Sequence, residues 1–156
     1  MIPICIVLLV YDQSLWAGIT VLLAALTDFL DGYIARKYKL VTNFGKLADP
    51  VADKLLVLTV AITLTYQQRF PLWAVLIIIA RELMVDGLRL IAVDKGCVLP
   101  AGILGKVKTV CQLVCLILML CSFPSWCTNL ALYVAIFFTV LSGIHYFWNL
   151  RTIFKE

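Results

Sequence analysis

The stretch Asp28-Phe29-Leu30-Asp31-Gly32-Tyr33-Ile34-Ala35-Arg36, followed after eight residues by Gly45-Lys46-Leu47-Ala48-Asp49-Pro50-Val51-Ala52-Asp53, decides how the rest of the chain is read. It sets four aspartates, Asp28, Asp31, Asp49 and Asp53, in or beside strongly apolar segments. Carboxylates are costly at membrane depth and are usually retained there for chemistry. Asp28 and Asp31 are three residues apart and Asp49 and Asp53 four apart, and on a helix either spacing puts a pair on one face.

Around this stretch the chain is apolar. Of its 156 residues 63% are hydrophobic and 14% charged, with a mean hydropathy of +1.04. Soluble domains are nearer one half apolar and one quarter charged. The length suits about five or six spans of about 20 residues, with short loops and no room for a separate soluble domain. The expected architecture is therefore an all-α polytopic membrane protein, a single membrane domain over 1–156. The apolar runs are Ile2–Tyr11, Leu15 to about Tyr33, Leu47–Tyr66, Pro71–Val93, Ile103–Ser122 and Leu130–Leu150. Six transmembrane helices are expected. The first is too short for about 30 Å of hydrocarbon, so it reads as truncated, clipped or entered partway. It also lacks the basic leading region and small-residue cleavage site of a signal peptide.

The formal charge of +4 is modest, and its placement is more informative. Arg36, Lys37, Lys39 and Lys46 lie between the second and third runs. Arg89, Lys95, Lys106 and Lys108 lie around the junction of the fourth and fifth, and Arg151 and Lys155 follow the sixth. The opposite loops hold only Arg69. The positive-inside rule puts the first set in the cytoplasm, together with both termini and the aspartate-bearing ends of spans two and three. No nucleic-acid partner is expected. The cysteines, Cys5, Cys97, Cys111, Cys115, Cys121 and Cys127, include no C-x2-C pair and mostly read as small buried hydrophobes. Cys121 and Cys127 flank a short loop and are the one pair open to a disulfide.

Four carboxylates in one pocket repel unless cations neutralise them. Oxygen donors without His or Cys favour Mg²⁺, Mn²⁺ or Ca²⁺ over zinc. Two Mg²⁺ ions a few ångströms apart clamp a phosphoryl group during in-line displacement. Gly32 and Ala35 leave a bare helix surface that a ligand can approach closely, and Arg36 offers a planar fork to a phosphate. Gly45 is expected in the turn before span three, and Pro50 in that helix's first turn.

The full pattern, D-x2-D-G-x2-A-R-x8-G-x3-D-x3-D, resembles the signature of the CDP-alcohol phosphotransferase family at every position. Ala80-Arg81-Glu82-Leu83, Gly87-Leu88-Arg89, Gly105-Lys106-Val107-Lys108-Thr109 and Leu141-Ser142-Gly143-Ile144 resemble segments of its bacterial phosphatidylglycerophosphate synthase branch. The resemblance runs from about Ile2 to Lys155. It departs at the start, where family members carry an amphipathic helix ahead of a full first span.

The resemblance implies the family fold and the transfer of a phosphatidyl group from CDP-diacylglycerol to an alcohol with release of CMP. It implies one Mg²⁺ on Asp28, Asp31 and Asp49 and a second on Asp28, Asp49 and Asp53, with Mn²⁺ as a substitute. Asp28, Gly32, Ala35, Arg36 and Thr42 would bind the CDP-lipid, and Asp53 would be the general base. For this branch the acceptor is sn-glycerol 3-phosphate, and a homodimer is implied.

A phosphorylated acceptor needs cations beside the metals. Arg81 and Arg89 are eight residues apart and so share roughly one face of span four. Lys106 and Lys108 enter span five, which completes the expected acceptor-phosphate pocket. Arg81 is also open to pairing with Glu82 or Asp86, and the other three to contact with lipid phosphates. His145 reads as a packed or hydrogen-bonded side chain rather than a ligand. Ser142 and Gly143 suit close helix approach. Other acceptors, such as inositol phosphate, serine or phosphatidylglycerol, stay open, as does a cation channel or transporter using the acidic cluster. A catalytically silent remnant is a third alternative.

Overall fold

A computed structural model of the chain describes residues 2–11, 13–37, 43–94 and 102–153, and the side chains of 5–9, 11, 13, 15–27, 30, 54–92 and 102–148. These residues are α-helical with no strand among them. The helices are α1 (Ile2–Val10), α2 (Ser14–Lys37), α3 (Asn43–Tyr66), α4 (Leu72–Asp94), α5 (Ile103–Leu120) and α6 (Ser125–Ile153). Each apolar run of the sequence thus becomes one helix. Among the described residues, two helical segments are long and apolar enough to cross a membrane, Ile103–Leu120 (mean hydropathy 2.0) and Ser125–Trp148 (1.8). Leu15–Thr27 and Lys54–Tyr66 are shorter apolar segments.

Two boundaries differ from the sequence reading. α2 continues to Lys37 and α3 begins at Asn43, so Gly45 lies inside α3 rather than in the turn before it. Pro50 lies beyond the first turn of α3, where its missing amide hydrogen removes the bond to the Lys46 carbonyl. Hydropathy locates apolar depth, whereas the backbone hydrogen-bond ladder continues into polar sequence, so α2 and α3 outrun their apolar runs.

The contacts divide into two compact units, Met1–Phe70 with Leu116–Phe123, and Pro71–Cys115 with Pro124–Glu156. In the first, α1 packs on α2 and α3. Its core follows helical spacing: Cys5 and Leu9 on α1, Ala17 and Val21 on α2, and Val57, Val60, Ala61 and Leu64 on α3. A Cβ on Gly18 would stand 3.2 Å from Leu120 Cβ and 3.4 Å from Cys121 Sγ, so glycine there admits the end of α5. Hydroxyls in these apolar helices turn inward on their own backbone. Thr20, Thr27, Thr63 and Thr65 each donate to the carbonyl four residues back at 2.8 Å.

The polar lock of this unit lies at the ends of α3 and α5. Both helices close in the same way, through a residue of positive φ, Gln68 (61°) and Ser122 (54°). Six-residue backbone bonds seal the turns, Arg69 N to Leu64 O at 2.9 Å and Phe123 N to Leu118 O at 3.1 Å. The guanidinium of Arg69 then donates to the Met119 carbonyl and to Ser122 Oγ (2.9 Å), while Gln67 Nε2 donates to Leu9 O at 2.6 Å. Cations favour the carbonyl end of a helix. Arg69→Leu is expected to cost about 1.5–3 kcal/mol, the value of hydrogen bonds involving a charged group. A thermal melt in detergent should fall by several degrees, and an unchanged melt would show that the lock is dispensable.

In the second unit α4 packs on α6. Ala74, Val75, Ile78 and Val85 form the buried stripe of α4, and Leu132 and Ala135 begin that of α6. Phe137 and Phe138 meet edge to face at 5.5 Å. The described thiols, Cys121 and Cys127 included, are free; Cys97 lies outside the described residues. The outward faces are as apolar as the core. Leu22, Leu26 and Leu30 of α2 are 43–53% exposed, and Phe137, Ile144 and Trp148 of α6 are 57–67% exposed.

Candidate functional site

The apolar stripes of α4, α5 and α6 are interrupted in register by polar side chains. On α4, Glu82 follows Ala74 and Ile78 at helical spacing. On α5, Lys108 and Gln112 precede Cys115, and on α6, Thr139 and Ser142 follow Leu132 and Ala135. Glu82, Lys108, Gln112, Thr139 and Ser142 are all buried, at 0–5% exposure, in the second unit. Polar groups at core positions are costly unless paired, and here they are paired with one another.

Glu82 is the hub. Its carboxylate accepts from Lys108 Nζ of α5 and from Arg81 Nη1 of its own helix, the latter at 3.4 Å to each oxygen. Arg81 Nε donates to Ser142 Oγ on α6 at 3.1 Å. Ser142 in turn donates its hydroxyl hydrogen to Thr139 O at 2.9 Å. Gln112 Nε2 donates to Thr139 Oγ1 at 2.9 Å, and that hydroxyl donates to Ala135 O at 2.6 Å. Gly143 makes the Arg81 position possible, since a Cβ there would lie 3.3 Å from Arg81 Cγ.

Two cations, Arg81 and Lys108, thus share one buried carboxylate, Glu82. Half-buried Asp86 and Arg89 are close enough to act on Arg81 through space, as is Tyr146. Buried cations of this kind favour an anionic partner. Two further buried atoms, Arg89 Nε and Tyr146 Oη, have no hydrogen-bond partner among the described residues.

Of the four residues expected around an acceptor phosphate, the structure brings Arg81 and Lys108 together through Glu82. Arg89 is half-buried on the same helix as Arg81. Lys106 is exposed, because two residues of helix turn it roughly 200° from Lys108. Asp28, Asp31, Gly32, Ala35 and Arg36 lie on α2, and Asp49 and Asp53 on α3, each pair within one uninterrupted helix. The side chains of these residues lie outside the described ones, and Thr42 lies outside them altogether. His145 is exposed on α6.

Sequence reading assigned no site role to Glu82, Ser142, Gln112 or Thr139. The α4 stripe carried a signal for Glu82, since a carboxylate at a core position needs a buried partner. Nothing local pointed to Ser142, which lies 61 residues from Arg81.

A family model described as CDP-alcohol phosphatidyltransferase matches residues 1–141. Among curated relatives, the CDP-diacylglycerol–glycerol-3-phosphate 3-phosphatidyltransferase of Bacillus subtilis (strain 168) is 47% identical over 138 residues, 83% of this chain and 70% of that protein. Proteins of the same name from Rickettsia typhi (strain ATCC VR-144 / Wilmington) and Rickettsia prowazekii (strain Madrid E) are each 43% identical over 164 aligned positions. They cover 98% of this chain and, respectively, 92% and 90% of their own lengths.

Proposed function

The chain belongs to the CDP-alcohol phosphatidyltransferase family, and from that premise we propose that it transfers the phosphatidyl group of CDP-diacylglycerol to sn-glycerol 3-phosphate, giving phosphatidylglycerol phosphate and CMP. The observation that carries the acceptor is the pair of buried cations, Arg81 and Lys108, gathered on Glu82. An uncharged alcohol such as glycerol makes no use of such cations, whereas an acceptor phosphate can pair with them. They also disfavour a cation pathway, because buried Arg81 and Lys108 repel a passing cation.

In this reading the acceptor hydroxyl oxygen attacks the phosphatidyl phosphorus. The bond from that phosphorus to the bridging oxygen breaks, and CMP leaves with that oxygen. Asp53 takes the hydroxyl proton, which requires hydrogen-bond reach to the acceptor. The CDP-lipid is held by Asp28, Gly32, Ala35, Arg36 and Thr42, and Arg81, Lys108, Arg89 and Lys106 serve the acceptor phosphate. The donor set of Asp28, Asp31, Asp49 and Asp53, all oxygen and helix-spaced, fits two Mg²⁺ ions or Mn²⁺ in their place. Bound there, they would offset the charge that builds on the pyrophosphate as CMP departs.

We place the chain in the cell membrane as a multi-pass protein of six helices, one membrane domain, with its aspartates toward the cytoplasm. The apolar outer faces of α2 and α6 support lipid contact, since water tolerates no such continuous apolar exterior. The placement of Lys and Arg supports the orientation. Family resemblance is the ground for a homodimer.

The test is CMP release from CDP-diacylglycerol by purified protein in detergent with Mg²⁺. Glycerol 3-phosphate is compared with inositol phosphate, serine, glycerol and phosphatidylglycerol. Release confined to glycerol 3-phosphate is expected. Release with another acceptor alone would overturn the substrate assignment and keep the family chemistry.

A further inference from the structure

Arg81 has three guanidinium nitrogens, and the fold has committed two of them. Nε donates to Ser142 Oγ at 3.1 Å and Nη1 to the Glu82 carboxylate at 3.4 Å. Nη2 has no hydrogen-bond partner among the described residues. Beside it lies Gly105 of α5, where a Cβ would come only to 4.0 Å from Nη2. The side chain as a whole is largely buried, at 11% exposure.

The second partner is oriented as well as placed. A serine hydroxyl has one hydrogen and two lone pairs. Ser142 gives its hydrogen to Thr139 O at 2.9 Å, which leaves its lone pairs for Arg81. The supporting turn is itself fixed, because Thr139 is fully buried and held by Gln112 from α5. Gly143, next along α6, admits the arginine stem. The planar guanidinium is thus held by α4 through Glu82 and by α6 through Ser142.

We infer that Ser142 is a positioning residue: with Glu82 it holds Arg81 so that Nη2 is the nitrogen that recognises the phosphate of the acceptor. This rests on the acceptor reading above and adds to it the atom used and the residue that aims it. A guanidinium held in one orientation loses little freedom when it binds, and that gain appears in acceptor affinity rather than in the chemical step.

The experiment measures KM for glycerol 3-phosphate, KM for CDP-diacylglycerol and kcat in wild type, Ser142→Ala, Ser142→Thr and Gly105→Leu, with a thermal melt of each. Ser142→Ala is expected to raise KM for glycerol 3-phosphate by about 10- to 150-fold, the range for a hydrogen bond to a charged group. KM for CDP-diacylglycerol should stay within about twofold. Ser142→Thr, which keeps the hydroxyl, should recover most of the loss. Gly105→Leu, which sets a bulky side chain against Nη2, should raise the same KM. The inference is overturned if Ser142→Ala leaves the acceptor KM unchanged, if both KM values rise together, or if threonine fails to rescue in a protein that melts normally. If Ser142→Ala does not fold, an unchanged acceptor KM in folded Gly105→Leu overturns it alone. A wild type that releases CMP with a different acceptor and not with glycerol 3-phosphate removes the acceptor reading itself, an outcome separate from any of these.

Discussion

Asp53→Asn is expected to abolish measurable phosphatidyl transfer. Asparagine preserves size and can still hydrogen-bond, but it cannot accept the proton of the acceptor hydroxyl and brings no negative charge to a metal. Loss of a positioned general base costs about 10²- to 10⁴-fold, and loss of a metal-ligand charge adds to that. The measurement is CMP release at saturating CDP-diacylglycerol and glycerol 3-phosphate, with a thermal melt to verify that the variant is folded. Mn²⁺ titration followed by electron paramagnetic resonance separates the two roles. A variant that binds both ions with wild-type affinity but does not turn over has lost the base alone. A rate within threefold of wild type in folded protein would remove Asp53 from the mechanism.

Glu82→Leu is expected to be the most destabilising single change in the second unit. The carboxylate compensates both Arg81 and Lys108, whose side chains are 11% and 6% exposed. Removing it leaves two buried cations facing each other. Breaking a buried ion pair by deleting one partner costs about 3–5 kcal/mol, which in a chain of this size lowers the melting temperature on the order of 10 °C. Lys108→Met should cost much less, because Glu82 keeps Arg81 as its partner and only one cation is removed. The double variant Glu82→Leu with Lys108→Met should recover part of the loss, since it deprives one buried cation of Glu82 rather than two. Equal melts for Glu82→Leu and Lys108→Met would show that Glu82 is not the hub of the cluster.

Ser142 and Glu82 affect different quantities because they do different work on the same arginine. Glu82 neutralises charge, so its loss is read in stability. Ser142 is neutral and aims the group, so its loss is read in the affinity for acceptor. That split separates a positioning role from a general weakening of the fold.

Hydropathy marked the six helical segments because an apolar run has few alternatives to a helix when its backbone must be satisfied without water. It marked their ends less well. Gly45 and Pro50 lie inside α3, because backbone hydrogen bonding does not stop where apolarity does. Arg81 stood out because a guanidinium amid Ile77, Ile78, Ile79 and Ala80 has to be held by something. What holds it was only half legible. Glu82 is adjacent in sequence, and Lys108 and Ser142 come from other helices, 26 residues from Glu82 and 61 from Arg81 respectively. Arg69 read simply as the lone basic residue of its side, yet it caps α5 and ties two helix ends together.

The sequence by itself determined the family, through the motif it shares with that family, and the helical class, through its apolar runs. Tertiary structure alone decided which cation is buried and which is exposed, Lys108 against Lys106, and which atom of Arg81 is left for a ligand. The physical reason is that burial and hydrogen-bond partnership are properties of facing surfaces. A pair of residues on different helices shares no local spacing to announce it, and only the packing of α4, α5 and α6 brings such partners within reach.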